Sequence, residues 1–262
     1  MKTILGIIFV FAISAGYGQH LSVSFWKKDN HLDSSWTPQW SNLKAYWKMD
    51  GVTGAIASGA TVRDYFGTSN GTTNGAGLSY VAGKISQGIS FDNSHYINVP
   101  RTSPANVCTA MTAVMWVKWS APTSPTYGSL FRSWNNCASD AAWGLEQNDN
   151  TKKISVSVNT TAAFNQALFS NGAPLDGSWH HLALSISAAG AGILYIDGVQ
   201  DSTATFSMGA GICSPTVALA IGGTACASPM GSGGVLDEFA IWSSVLTPSE
   251  ILTIYNRQKN GN

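Results

Sequence analysis

Residues 177–200 read GSWHHLALSISAAGAGILYIDGVQ. Two short runs in this stretch, WHHLALSIS (179–187) and ILYIDG (193–198), are rich in apolar, β-branched and aromatic residues, the composition of strands. Asp197-Gly198, set between ILYI and VQDS, is a two-residue hairpin signal, because both residue types tolerate positive φ. Working outward, the same composition recurs at AYWKMD (45–50), GISFD (88–92), YINVP (96–100), TAVMWVKW (112–119), SLFRSW (129–134), WGLEQN (143–148), KISVSVN (153–159), VALAIGG (217–223) and LDEFAIW (236–242). In KISVSVN, Ile154, Val156 and Val158 share one face. GTSNGTTNGAG (67–77) reads as a loop. A helix is expected near the C-terminus, where Thr247-Pro248-Ser249-Glu250 supplies an N-cap, a proline at the first helical position and an acid in the first turn. Eleven short strands with one terminal helix, and no alternation of strand with long helix, predict an all-β antiparallel sandwich of two sheets.

The chain of 262 residues has a formal net charge of zero and only 11% charged residues, yet 44% are hydrophobic and ten are tryptophan. That hydrophobicity excludes charge-driven disorder. Fourteen Lys and Arg against fourteen Asp and Glu give no basic surface, which argues against a nucleic-acid partner. Lys2 precedes an apolar run from Ile4 to Ala15, about 12 residues, too short to span a membrane. Gly16 and Gly18 follow at signal-peptidase offsets, so residues 1–18 are expected to be a signal peptide cut before Gln19, leaving a secreted chain without a membrane span. Residues 19–42 read as an extension or linker and 43–262 as the folded domain. Export makes Cys108, Cys137, Cys213 and Cys226 candidates for two disulfides. Cys108 and Cys137 flank the turn-rich APTSPTYG symmetrically, which favours Cys108–Cys137 with Cys213–Cys226. The crossed pattern, Cys137–Cys226 with Cys108–Cys213, is the main rival.

In order along the chain, LKAYWKMDG, VRDYFGTSNGTTNG, GKISQGISFDNSHYINVP, MTAVMWVKW, GSWHHLALSIS with ILYIDGVQ, LAIGG, and GVLDEFAIWSSVLTPSEILTIYN resemble the landmarks of the LamG-like jelly roll of the concanavalin A-like lectin/glucanase superfamily, the group of laminin G modules and pentraxins. The resemblance covers roughly residues 43–257. It implies a two-sheet jelly roll with a short C-terminal helix, an inward tryptophan in MTAVMWVKW, and binding of carbohydrate or an extracellular protein. It also implies bound calcium in many members. Asp50, Asp92 with Asn93, and Asp237 stand at acidic positions of the family motifs and are candidate ligands of a structural Ca2+. The loop TACASPMGSGG after LAIGG has no acid, so a pentraxin-style two-calcium ligand site is not expected.

Glycosidases of that superfamily place two carboxylates on one side of a strand. This chain has three glutamates, Glu146, Glu238 and Glu250. Strand alternation puts Asp149 on the face opposite Glu146 and separates Asp237 from Glu238, and Glu250 belongs to the helix start. No catalytic residues are therefore expected, and the chain reads as a non-catalytic recognition module, with carbohydrate binding or adhesion ahead of a structural or protein-interaction role and of a divergent glycan-cleaving enzyme. Adjacent His180 and His181 point to opposite faces and read as packing residues. Trp116 and Trp179 are expected in the core. Trp134 with Asn135 and Asn136, and Trp143 with Gln147, are the candidate ligand-binding groups, because indoles stack on sugar faces and amides hydrogen-bond to hydroxyls.

Overall fold

The computed structural model describes residues 29–121, 128–133, 142–148, 151–160, 162–212, 218–223, 230–231 and 233–261. Seventeen strands appear among them: β1 Leu43–Trp47, β2 Gly54–Ala55, β3 Thr61–Val62, β4 Gly71–Thr73, β5 Ser79–Ala82, β6 Gln87–Ser90, β7 Ile97–Val99, β8 Met111–Ser120, β9 Ser129–Ser133, β10 Ala142–Asn148, β11 Lys153–Asn159, β12 Gln166–Phe169, β13 Asp176–Ile186, β14 Ala191–Ile196, β15 Val199–Thr205, β16 Leu219–Ile221 and β17 Val235–Trp242. One helix, α1 Pro248–Gln258, closes the chain. The first sheet runs β15-β14-β13-β8-β17-β6-β5-β2, with β1 also paired to β17. The second runs β12-β11-β10-β9-β16-β7-β4-β3. Every pairing in both sheets is antiparallel.

All eleven expected strands are present, and Asp197 (φ 52) and Gly198 (φ 78) make the hairpin turn between β14 and β15. The additional strands are mostly two to four residues long. One of them, β4, lies inside the expected 67–77 loop, where Thr72 and Thr73 pair with β7. Runs this short carry too few side chains for a period of two to show.

Between the sheets lies one continuous core. Phe131, Trp143, Leu145, Val156 and Val158 of the second sheet face Met115, Leu182, Leu184, Phe239 and Ile241 of the first. A second apolar cluster lies on the outer side of the first sheet, where Tyr46, Val114, Ala183, Ala240 and Trp242 are covered by Leu32, Leu246, Ile251 and Ile254. The helix follows its sequence signals. Thr247 accepts from the Glu250 amide while the Glu250 carboxylate accepts from the Thr247 amide, a capping box with proline behind it.

Trp116 belongs to this outer layer. It is buried, but beneath the helix, where its indole N–H donates to Gln258 Oε1 at 2.9 Å. The tryptophan of β8 in the inter-sheet core is Trp119. Trp179 is half-buried. Residues 29–42, the described part of the expected extension, also pack here: Leu32 is in the outer cluster, Trp36 and Trp40 lie against it, and the Trp242 indole donates to Pro38 O at 3.1 Å.

Candidate functional site

The two sheets present their outer faces differently. On the second sheet, alternation sends Phe131, Leu145, Ile154 and Val156 inward and leaves Arg132, Glu146, Ser155 and Ser157 outward. Register then builds two cross-strand rows. Arg132, Gly144, Ser157 and Ala167 form one; Glu146, Ser155 and Phe169 form the other. The Arg132 guanidinium crosses Gly144 to reach Glu146 Oε2 at 3.2 Å. A Cβ at Gly144 would stand 2.7 Å from Arg132 Cγ and 2.8 Å from the Phe131 carbonyl, so the crossing requires glycine there. Ser157 Oγ donates to the other carboxylate oxygen, Glu146 Oε1, at 2.6 Å.

These groups floor a cleft of about 300 Å³, closed further out by Asn165, Gln166 and Phe169. The Phe169 ring is 51% exposed. On its far side a shallower hollow of about 500 Å³ runs to β15, where Asp201 accepts from the amides of Asn171 (2.7 Å) and Gly172 (2.8 Å). The result is a polar trough with an aromatic ridge across it. Among the described residues that line the cleft, Glu146 is the single acid.

The outer face of the first sheet is closed by the helix and the N-terminal segment, and its polar groups are internal. Glu238, fully buried, takes His31 Nδ1 on Oε1 at 2.6 Å and both the Tyr46 hydroxyl (2.6 Å) and Gln258 Nε2 (2.8 Å) on Oε2. His31 Nε2 lies 3.3 Å from Asp50 Oδ2. Burial opposes a charge on His31, but its hydrogen bond to Glu238 and the charges of Glu238 and Asp50 outweigh it and hold the imidazole above its ordinary 6.5. Burial raises the Glu238 carboxyl, against the pull of His31 and Tyr46. Asp237 and Glu238 were expected on opposite faces. A bulge in β17, with Glu238 at φ 54, turns both away from the core between Leu236 and Phe239, which face it. His181 is also under the helix, against Trp116 and Tyr255, and burial pushes it down to about 4. His180 points to the other face and pairs with Asp197 at 2.8 Å.

The sequence-predicted site residues are scattered. Trp134, Asn135 and Asn136 lie outside the described residues. Trp143 is 1% exposed and packs edge-on against Phe131, and Gln147 is fully buried, so neither offers a surface to a sugar. Asp237 Oδ2 accepts from the Lys84 and Ile85 amides at 2.8 and 2.9 Å, and Oδ1 from the Glu238 amide. Asp92 binds the His95 ring at 2.7 Å and the Ser94 amide, while Asn93 adopts φ 69 in the same turn. Asp50 accepts from the Gln87 amide. Asp92 and Asn93 thus belong to a turn of their own, while Asp50 and Asp237 both accept from amides of the 84–87 turn. Among the described residues no three His, Cys, Asp or Glu side chains converge on a point that would hold a metal ion. Calcium wants six to eight converging oxygens. The donor set among the described residues does not fit it.

Sequence reading passed over Arg132, Ser157 and Phe169. A glycine inside the otherwise well-formed strand WGLEQN was the available signal, since it marks a close approach by a neighbour.

The family model for the concanavalin A-like lectin/glucanases superfamily matches residues 91–252. No curated protein matches the chain. Among solved structures, domain 4 of AbnA, a GH43 extracellular arabinanase from Geobacillus stearothermophilus in complex with arabinotriose, is similar at TM-score 0.63 and 21% identity, over 82% of this chain and 98% of that one. Trypanosoma rangeli sialidase in complex with 2,3-difluorosialic acid is similar at 0.62 and 20%, over 86% of this chain but 36% of that longer one. The binding domain of Paraclostridial mosquitocidal protein 1 gives 0.58 and 14%, over 82% and 52%. At these identities the likeness is one of fold.

Proposed function

The chain belongs to the concanavalin A-like lectin/glucanases superfamily, and from that premise we propose that it is a secreted, non-catalytic recognition module that binds carbohydrate on the open face of its second sheet. The observation that carries this reading is the pairing of Glu146 with Arg132 and Ser157 on the floor of a polar cleft beside the exposed Phe169 ring. A fixed carboxylate and guanidinium present planar acceptors and donors to vicinal hydroxyls, and an exposed ring gives a sugar's C–H face something to stack on. A domain with this fold in the arabinanase was solved with arabinotriose, which supports a glycan as the ligand class.

Hydrolysis by the usual route needs two carboxyl groups, about 5–5.5 Å apart for retention or ~6.5–9.5 Å for inversion. Glu146 is ion-paired, Glu238 is sealed under the helix and Glu250 caps it, so none is placed as half of such a pair among the described residues. Secretion is supported by the apolar N-terminal run with its small-residue exit, and among the described residues no helix is long and apolar enough to cross a membrane. The test is a panel of neutral and charged glycans. Binding that is lost in Phe169→Ala and Glu146→Gln with an unchanged melting curve supports the reading. Binding unaffected by both, or sugar released from the panel and abolished by Glu146→Gln, overturns it.

A further inference from the structure

Under the helix, away from the sheet-face cleft, lies a buried titratable group that the glycan cleft does not involve. The His181 ring is fully buried, and neither Nδ1 nor Nε2 has a hydrogen-bond partner among the described residues. Its backbone amide is satisfied, donating to Asp197 Oδ1 at 2.9 Å. The ring occupies an aromatic slot, edge-on to Trp116 at 5.3 Å and tilted against Tyr255 at 6.0 Å, and those two rings stack on each other at 5.8 Å. Trp116 comes from β8, but Tyr255 comes from α1, so the helix closes the slot. It lies directly on the Asp197-Gly198 turn: a Cβ at Gly198 would stand 3.0 Å from Leu252 Cδ1 and 3.1 Å from Tyr255 Cβ.

The charges around the slot are either engaged or of the wrong sign. Asp197 is the acid beside it, and its other oxygen takes His180 Nδ1 at 2.8 Å. Lys84 Nζ stands over the Trp116 ring at 4.5 Å, and Lys259 Nζ over the Tyr255 ring at 5.5 Å. Lys118, two residues along β8, is exposed, and Arg257 lies over Trp36 at 5.0 Å. On the neighbouring β17, Glu238 is held by His31, Tyr46 and Gln258, and Asp237 by backbone amides. A neutral imidazole fits this slot. A second proton adds a donor and a full charge where there is no free acceptor and two cations stand at the rim, and a buried charge without a partner is among the costliest things a fold can hold. Burial accordingly keeps the ring down at about 4.

The helix is fastened unequally. Its first half has the capping box, the Gln39 side-chain amide on Glu250 Oε2 at 2.9 Å, and the buried Ile251 and Ile254. Its last turn rests on Tyr255 over the slot and on Gln258, which joins the Trp116 indole to Glu238, with Asn30 holding Gly261 beyond. We propose that residues 255–261 form an acid-released flap: a proton on His181 lifts Tyr255 and Gln258 off the sheet, while the capped half of the helix stays seated. Release opens Trp116 and the slot to water, which solvates the imidazolium. His31, Asp237 and Glu238 bind protons more tightly in the closed state, so they oppose release in acid; they touch the flap through Gln258 and Asn30. The flap is independent of the sheet-face cleft and stands or falls without it.

The experiment is hydrogen exchange of the intact protein between pH 7 and 4, with each rate corrected for the pH dependence of an unprotected amide. In wild type the amides of residues 255–259 should speed up by as much as about tenfold for each pH unit below 6.5, levelling near 4, while those of β8 and β13 hold. His181→Phe keeps a ring in the slot without the proton and should abolish the rise. His31→Asn should leave the rise in place. If His181→Phe fails to fold, the wild-type ring is read directly by NMR, and its titration should coincide with loss of protection at 255–259, at a midpoint below 6.5. Exchange at 255–259 that ignores pH, that accelerates in step with β8 and β13, that still accelerates in His181→Phe, or that loses its acid response in His31→Asn would overturn the proposal. So would a His181 ring that gains its proton while those amides stay protected.

Discussion

Glu146 and Glu238 both leave a central strand on the side away from the sandwich core, and the molecule treats them in opposite ways. Glu238 is roofed by helix and N-terminal segment and has no water to fall back on. Three donors from three separate parts of the chain, His31, Tyr46 and Gln258, meet on its two oxygens. Glu146 lies at the floor of a cleft, 7% exposed, with no helix over it, and its partners come from the neighbouring strands β9 and β11. The first arrangement ties distant segments together, and its loss is felt as stability. The second orders a surface, and its loss is felt in what that surface holds.

Substitution tests this contrast most strongly at the covered glutamate. Glu238→Ala strands a buried imidazole, a hydroxyl and an amide, and removing one partner of a buried ion pair costs about 3–5 kcal/mol. Thermal or urea unfolding reads it directly, and a loss below about 1 kcal/mol would erase the distinction. On the open face, Glu146→Gln keeps an amide oxygen for Ser157 and should cost less than Glu238→Ala while altering ligand binding.

Protonation sharpens the comparison, because the covered face also holds the histidines of most unequal environment. His181, held down at about 4 against 6.5 in the unfolded chain, leaves the unfolded state binding more protons between those values. Stability therefore rises with pH across that window, by up to about 3 kcal/mol. His31 acts in the other direction. Its folded pKa is raised, so its contribution is complete below 6.5 and is lost as pH rises through the folded value. The raised carboxyls of Asp237 and Glu238 act against His181 on the acid side, so each histidine is read from the difference between wild type and its own variant. The stability difference from His181→Asn should grow in favour of wild type between pH 4 and 6.5, and that from His31→Asn should shrink above 6.5; differences that do not change with pH would contradict both.

A smaller effect is expected at Gly144. Gly144→Ala should push Arg132 off Glu146, costing about 1–3 kcal/mol by overpacking and weakening any glycan bound in the cleft. Phe169→Ala marks the lower end, with binding lost and stability within about 0.5 kcal/mol of wild type.

The disulfides bear on how far a sequence can be read. Cys137, Cys213 and Cys226 lie outside the described residues, and both pairings stand, Cys108–Cys137 with Cys213–Cys226 and the crossed Cys108–Cys213 with Cys137–Cys226. Peptide mapping without reductant decides it. Symmetry about APTSPTYG favours neighbours in sequence, and a contact between distant segments would be a property of the whole sandwich. The same divide runs through the rest. The strands, the Asp197-Gly198 turn and the Thr247–Glu250 cap rest on local chemistry and were legible. The β17 bulge was not, because no residue type announces a doubled outward position at Asp237 and Glu238. Trp143 reads equally well as platform or core until the register with Phe131 is known. Arg132 and Glu146 become partners only through the pairing of β9 with β10. His31 lies in a stretch with no strand pattern, and its role depends on a glutamate 207 residues away.

The side-chain amide of Asn30 donates to the carbonyl of Gly261, so the segment before β1 and the segment after α1 meet at one point. Such a unit behaves as a pendant. Spliced into a loop of a host protein it would demand almost no gap, and a pull along the host would pass beneath it without shearing its sheets. A version with residues 29 and 261 joined by a short linker and new ends opened at an exposed turn such as Ala188-Ala189 should still fold.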